Sequence, residues 1–419
     1  MSCKLQSVKG MNDLLPAQSP YWQYIEQVLR KIADAYGYAE IRTPILEKTA
    51  LFVQSIGEQT DIVEKEMFAF EDAGGEFLCM RPECTASVVR AGVQHGLFHN
   101  TQARLWYMGP MFRRERPQKG RYRQFSQFGM EAIGWSGAEA DVEVILAGAR
   151  IWKALGVKDV HLYLNSLGSD DCRVRYRAAL VGYLTQHIEA LDADSQRRLD
   201  SNPLRILDSK NPDTQRILEH APVINDYLDD TASAHFMRVC SMLDDEGVAY
   251  TIDSSLVRGL DYYTSTVFEW KTGKLGAQNT VCAGGRYDDL IERRGGQSSP
   301  ACGFAMGMER LVELLMEEHN ALQIKPLDVW FISLDIQANQ AAFRLTESLR
   351  DRGLTVAMNL GVGKLKSQLK KADASGAQFA LILGQTELEQ GVVQLKPLRG
   401  QFERQDVAFD AVFDTINSI

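Results

Sequence analysis

No C-x-x-C pair occurs among the seven cysteines, and no apolar run is long enough to cross a bilayer. The first absence argues against a structural zinc site, and the odd cysteine count argues against a disulfide framework, so free buried thiols are expected. The second excludes a membrane-spanning helix. The opening segment MSCKLQSVKGMNDLLP lacks the apolar core of a secretory signal, so the expected compartment is the cytosol. The phosphate-binding loop G-x-x-x-x-G-K is missing, and no G-x-G-x-x-G follows a strand; P-loop and dinucleotide-binding readings are therefore disfavoured. There is no internal repeat and no low-complexity tract. Positive charge is in the minority, with 46 Lys and Arg against 55 Asp and Glu and a net charge of -9. That balance discourages indiscriminate nucleic-acid binding, so any such partner must be met by local basic features. What remains is an ordinary globular composition, 45% hydrophobic over 419 residues, enough for a sizeable core in two or three domains.

Hydrophobic periodicity organises the chain. SPYWQYIEQVLRKIADAYG spaces Trp22, Ile25, Leu29, Ile32, Ala33 and Tyr36 as a helix, with Gly37 suited to end it. YAEIRTPIL then reads as a strand containing Pro44, and KEMFAFEDAGGEFLCMRPE as a hairpin about Gly74 and Gly75. RLWYMGPMFRRE and RQFSQFGMEAIGW predict two further strands, followed by a helix in EADVEVILAGARIWKALG. From about 166 to 250 the text is helical and polar, an insertion after which strands resume at TSTVFEW and NTVCAGG. GFAMGMERLVELLMEEHN runs from strand to helix, and Pro326 marks a linker. From there to the end, strands and helices alternate as in a small α/β domain. The expectation is an α+β domain over residues 1–325 on a mainly antiparallel sheet, then a C-terminal α/β domain over 326–419.

Against the acidic background, FRRERPQKGRYRQFSQFGMEAIG concentrates cations in one hairpin. In a strand, period 2 places Phe125, Gln127, Gly129 and Glu131 on one face, and Tyr107, Gly109, Met111 and Arg113 share that parity on the preceding strand. An aromatic plane, an amide and a carboxylate lie beside a mobile loop bearing Arg114, Arg116, Lys119, Arg121 and Arg123. Arginine forks pair with phosphate oxygens and Phe125 can stack on a purine, so the hairpin suits a nucleotide; a solvated charged turn is the plainer alternative. Other stretches weigh against that alternative together. MRPECTASVVR offers Glu83 and Thr85 to an ammonium group, SSLVRGLDYYT offers Arg258, Asp261, Tyr262 and Tyr263, and AGGRYDDL offers Arg286 and Tyr287. In ACGFAMGMERL, Arg310 sits in the first turn of a helix, where backbone N–H groups favour anions.

MGPMFRRERPQKGRYRQFSQFGMEAIG resembles motif 2 of the class II aminoacyl-tRNA synthetases, GFAMGMERL resembles motif 3, and the first helix with the Pro44 segment resembles motif 1. LVRGLDYYT and AGGRYDDL are similar to the two histidine-specific motifs of the histidine branch of that family, and RPECT and LDSKNP also fit it. The resemblance runs over essentially the whole chain. Cys84, and Asp289 after RYD, stand where glycine is common in the family.

The resemblance implies activation of histidine by ATP with a magnesium ion, then transfer of the histidyl group to the 3′ end of histidine tRNA by a cytoplasmic homodimer with no membrane association. It further implies that Arg113 and Arg258 hold the α-phosphate, that Arg121 and Arg310 meet the distal phosphates, and that Phe125 and Arg310 sandwich the adenine. Glu83, Thr85 and Gln127 would take the α-ammonium group; Glu131 and Tyr263, with Tyr262 and Tyr287 near, would grip the imidazole. Arg116, Gln118 and Lys119 would meet the tRNA acceptor end and the C-terminal domain the anticodon, with GVGKLKSQLKK its basic candidate. The rivals are a synthetase-like regulatory subunit or histidine sensor, and a class II enzyme for glycine, proline or threonine. The first tends to lack the Arg258 motif or the C-terminal domain, both kept here; the second gives no reason for Glu131 with Tyr263.

Overall fold

The computed structural model describes residues 5–58, 60–118, 120–276, 279–318, 326–400 and 403–419. It divides into two compact units, 1–322 and 323–419. In the first, α1 (Ser19–Ala35) buries Ile25, Leu29, Ile32 and Ala33, and ends where Gly37 takes a φ of 73° that a side chain resists. The single strand expected through Pro44 is instead two short ones, β1 (Ala39–Glu40) and β2 (Leu46–Lys48), which join different sheets. Pro44 lies in the gap; it has no N–H for a ladder and restricts the residue before it.

After α2 (Thr49–Ile56), β3 (Phe68–Glu71) and β4 (Phe77–Met80) form the hairpin expected about Gly74. Asp72 closes the turn by accepting from the amides of Gly74 and Glu76, both at 2.8 Å. Then come α3 (Thr85–Gln94) and the long pair β5 (Ala103–Phe112) and β6 (Gln124–Ile133), in continuous register from Ala103 opposite Ile133 to Phe112 opposite Gln124. Next are α4 (Ala138–Leu155) and β7 (Val160–Ser166). Four helices, α5 (Asp170–Thr185), α6 (Ala193–Ser201), α7 (Pro212–Leu218) and α8 (Asp230–Asp245), precede β8 (Tyr250–Ile252) and β9 (Thr264–Thr272). The unit closes with β10 (Thr280–Arg286), α9 (Leu290–Arg293), β11 (Ala301–Gly307) and α10 (Met308–Glu318).

Eight strands make one mixed sheet in the order β1-β5-β6-β11-β10-β9-β7-β8, parallel only at its two outer pairs. Its two faces differ. Phe128, Met130 and Ala132 of β6 pack with Trp106 against α1, α4 and α10 in a large apolar core. The odd residues of β5 and β6 face the other way, where Tyr107 and Met111 meet Cys84, Tyr262, Tyr263 and Tyr287. This alternation aims the polar side chains of the central strands at one side.

The second unit holds β12 (Val329–Ser333), α11 (Ile336–Asp351), β13 (Val356–Met358), α12 (Leu365–Ala374) and β14 (Phe379–Leu383). It continues through α13 (Gln385–Gln390), β15 (Val392–Pro397), β16 (Gln405–Ala408) and α14 (Val412–Ser418). Its sheet, ordered β13-β12-β14-β15-β16, is parallel over the first three strands and antiparallel beyond. Each βα crossover covers a face of it, so Leu381 and Leu383 point into one apolar cluster and Ala380 and Ile382 into another. The six described cysteines are all free and five are buried, as the missing C-x-x-C suggested. Among the described residues, no helix is long and apolar enough to cross a membrane.

Candidate active site

The odd face of β5 and β6 forms the floor of a cavity of about 210 Å³. Glu83, Thr85, Arg113, Arg121, Phe125, Gln127, Arg258, Tyr262, Tyr263 and Arg310 all line it, brought from five separate stretches of chain. Arg113 follows β5 and its Nε donates to the Pro82 carbonyl at 2.9 Å, with the guanidinium 5.2 Å above the Phe125 ring. Arg258 lies 5.5 Å above the Tyr263 ring and pairs with Glu269. Arg121 pairs with Glu115, and Arg310 donates to the carbonyls of Thr280 and Gly120.

Electrostatics ties these cations together. Burial depresses the pKa of Arg113, Arg121 and Arg310, and mutual repulsion pushes the same way: Arg258 acts on Arg113, Arg113 on Arg121, and both Arg113 and Arg121 on Arg310. Arg258 is also disfavoured by burial, but Glu269 and the two tyrosines outweigh that and hold its pKa above the usual value. Arginine cannot relieve such repulsion by losing a proton. Four neighbouring cations in a partly desolvated cleft favour the approach of an anion.

The other end is acidic and phenolic. Glu83 accepts from the amides of Thr85 at 2.7 Å and Ala86 at 2.9 Å, capping α3, and burial raises its pKa. Among the described residues, Gln127 Oε1 is buried with no hydrogen-bond donor, an acceptor in the cavity wall. Glu131 does not line the cavity. Its carboxylate lies one layer behind, accepting from Thr85 Oγ1 at 2.7 Å and from Tyr287 Oη at 2.5 Å. Burial raises its pKa to about 8, aided by the nearby Glu83 and opposed by those two hydrogen bonds. Gly303 makes this placement possible, since a Cβ there would stand 1.7 Å from Glu131 Oε2. Tyr287 likewise sits behind the wall, with Tyr262 edge-on at 5.7 Å.

Several expected residues fall elsewhere. Arg116 and Gln118 are exposed on the β5–β6 connection, and Lys119 lies outside the described residues. Phe125 is covered by Arg113, whereas Arg310 reaches across to the Thr280 carbonyl. Arg286 turns to the opposite side of the sheet and is locked to buried Asp141 at 2.7 Å, which fixes β10 so that the next residue, Tyr287, faces the site. Cys84 is buried at the start of α3 against Thr43 and Arg81, while Asp289 precedes α9 and pairs with Arg293 at 3.6 Å; neither lines the cavity.

Three contributors in the wall escaped the sequence reading, Tyr122, Glu115 and Glu309, while Tyr107, placed on this face by parity, lies beneath Gly129. Glu115 is the lone acid amid arginines in RRERP, and Glu309 precedes Arg310, so their positions carried a signal. Glu309 accepts from the Ser126 amide at 2.8 Å, and burial lifts its pKa to about 7. Among the described residues, no three His, Cys, Asp or Glu side chains are grouped to hold a metal ion.

Residues 10–311 match the family model for histidyl-tRNA synthetase, and 328–419 match that for an anticodon binding domain. The chain belongs to the histidyl-tRNA synthetase family. The apo histidyl-tRNA synthetase of Staphylococcus aureus is 36% identical, with a TM-score of 0.83 over 99% of this chain and all of that one. A Nostoc histidyl-tRNA synthetase matches at 20% identity and TM-score 0.69 over 99% of both chains. A Bacillus halodurans chain titled ATP phosphoribosyltransferase regulatory subunit/histidyl-tRNA synthetase matches at 23% and TM-score 0.67, over 92% of this chain and 99% of that one. These last two bear on the fold alone. Like other histidyl-tRNA synthetases, this class II ligase activates histidine with ATP and charges histidine tRNA.

Proposed function

We propose that the cavity is the adenylation site, with the cationic half for ATP and the acidic, phenolic half for histidine. The convergence of Arg113, Arg121, Arg258 and Arg310 opposite Glu83, Gln127 and Tyr263 is the observation that supports this reading. Arg113 and Arg258 neutralise the α-phosphate, Arg121 and Arg310 the distal phosphates, and Phe125 offers the adenine its ring. Glu83, Thr85 and Gln127 receive the ammonium group. Tyr263 meets one imidazole nitrogen, and Glu131 reaches the other once the ligand displaces the Thr85 hydroxyl from it; Tyr287 then holds the carboxylate in orientation. Any side chain without both ring nitrogens leaves these buried groups unpaired, which is a strong basis for rejection.

The carboxylate oxygen of histidine attacks the α-phosphorus as the bond to pyrophosphate breaks, and a terminal ribose hydroxyl of the tRNA then takes the acyl group from AMP. No protein nucleophile is needed. Positioning and charge stabilisation by fixed arginines carry the chemistry. Glu115 and Glu309, acids of the cavity wall beside the arginines, would be the residues to hold a magnesium ion brought in with the nucleotide. Such an ion would supply charge neutralisation on the phosphates.

Arg116, Gln118 and Lys119 meet the acceptor end, and residues 326–419 read the anticodon. The protein works as a cytoplasmic homodimer; in favour of a partner, the β2-β4-β3 sheet exposes Leu46, Phe70 and Phe77. Pyrophosphate exchange into ATP, measured with each of the twenty amino acids, tests the site: only histidine supports exchange, and Glu131→Ala abolishes it. Near-normal exchange in that variant refutes the assignment of the acidic half.

A further inference from the structure

The segment that carries Arg258, from Val257 to Leu260, is a wall between two cavities. One is the site above; the other, of about 490 Å³, lies behind it and is lined by Asn202, Arg205, Val257, Arg258, Asp261 and Tyr263. A segment open on both sides is held by its ties more than by packing. Its flanks are fastened to the body of the domain. The Leu256 carbonyl accepts from Asn165 at 3.0 Å, and the Asp261 amide donates to the Ile56 carbonyl at 2.9 Å. Between those two points, among the described residues, the only main-chain hydrogen bond is to the Gly259 carbonyl. Its donor is Arg205 Nη2 at 2.8 Å, from the short 3₁₀ turn Pro203–Asp208 in the helical stretch between β7 and β8.

The Arg205 guanidinium is well placed for this. Ile206 beside it is fully buried in the cluster that includes Leu256, Tyr262 and Tyr263, so the turn is anchored. Asn202, one residue ahead of the turn, donates to Asp261 at 3.2 Å. Gly259 leaves room for the contact, since a Cβ there would lie 3.3 Å from Arg205 Nη1.

We infer that Arg205 is a positioning residue for Arg258: it clamps the Gly259 carbonyl from behind and so sets where the catalytic guanidinium stands, coupling the inserted helices to the adenylation step. The inference rests on the reading that Arg258 neutralises the phosphate. A shift of about 1 Å in such a group costs on the order of 10²-fold in rate. The loss falls on kcat rather than on histidine binding, because Arg205 does not itself line the cavity that receives histidine.

The test uses the full-length protein. Arg205→Met, which keeps the length and apolar stem, lowers kcat for pyrophosphate exchange by about 10²-fold and leaves the histidine Kd within about twofold. Arg205→Lys, which still reaches a carbonyl, recovers part of the rate. In an Arg258→Ala background, Arg205→Met produces no further loss, because the clamp then positions nothing. The inference is overturned if Arg205→Met exchanges within about threefold of the parent, or if its effect multiplies that of Arg258→Ala as an independent loss of folded protein would. Should Arg205→Met fail to fold, Asn202→Ala loosens the same segment, and an unchanged kcat there overturns the inference equally. If Arg258→Ala itself exchanges normally, it is the phosphate assignment that fails, and not the clamp alone.

Discussion

Glu131 makes the protein's stability depend on pH in a direction opposite to that of most carboxylates. Its folded pKa is raised, chiefly by burial, from an ordinary 4.5 to about 8. Below pH 4.5 the group is protonated whether the chain is folded or unfolded, and it exerts no pH dependence. Between 4.5 and about 8 the unfolded chain releases the proton while the folded one retains it, so folded stability falls as pH rises; above 8 both are ionised and the cost stays constant. At 1.36 kcal/mol per pH unit, the interval from 4.5 to about 8 corresponds to on the order of 5 kcal/mol. Replacing the carboxyl by an amide, Glu131→Gln, keeps the shape and a partner for Tyr287 but cannot ionise. Neighbouring Glu83 is displaced in the same direction and is present in both proteins, so the comparison isolates position 131 apart from their mutual repulsion. Urea unfolding from pH 5 to 9, followed by tryptophan fluorescence, reads it out, since five of the six tryptophans lie before residue 323. The expected result is a parent protein that loses several kcal/mol relative to Glu131→Gln as pH climbs to about 8, with parallel behaviour beyond. Curves that run parallel across the whole range refute the reasoning, because they require Glu131 to titrate as if solvated.

What could be read from the sequence depended on how local each signal was. Strand parity in FSQFGMEAIG placed Phe125, Gln127 and Glu131 on the face now seen toward Tyr107, because a ladder with unbroken register transmits period 2 without error. The helices failed nowhere that mattered, since spacings such as Ile25, Leu29 and Ile32 are set by the helix itself. The strand through Pro44 failed because two sheets compete for its ends, a choice made by tertiary pairing. Depth was invisible too. Parity puts Glu131 and Gln127 on one face, yet only the distant Gly303 and Tyr287 decide that one reaches the cavity wall and the other hides behind Thr85. For the same reason the arginines were legible as a cationic group, whereas Glu269, the partner of Arg258, was not: an acid that completes a buried pair looks, in sequence, like any surface acid.

Two further perturbations test separate parts of the molecule. Arg258→Ala slows adenylate formation by about 10²-fold or more, the scale of losing one preorganised charge contact, while calorimetric histidine binding stays near the parent value; a change under about threefold places the essential cation elsewhere. Asp141→Ala acts on stability at the other face of the sheet. Arg286 and Asp141 are 1% and 0% exposed, and Asp141 receives both the Nε and the Nη2 of Arg286 at 2.9 and 2.7 Å. Removing the acid leaves a guanidinium in the core with, among the described residues, the carbonyls of Trp135 and Gly137 and the partly exposed Asp288. Breaking a buried pair from one side costs about 3–5 kcal/mol, mostly through the charge left behind. Replacing both residues by apolar ones of similar size, Asp141→Leu with Arg286→Met, removes that charge and recovers much of the loss. Because Tyr287 follows Arg286 directly, the double variant also asks whether this anchor serves only folding. If stability returns but histidine activation does not, the ion pair is holding Tyr287, and through it Glu131, in register; if both return, packing alone suffices to aim β10.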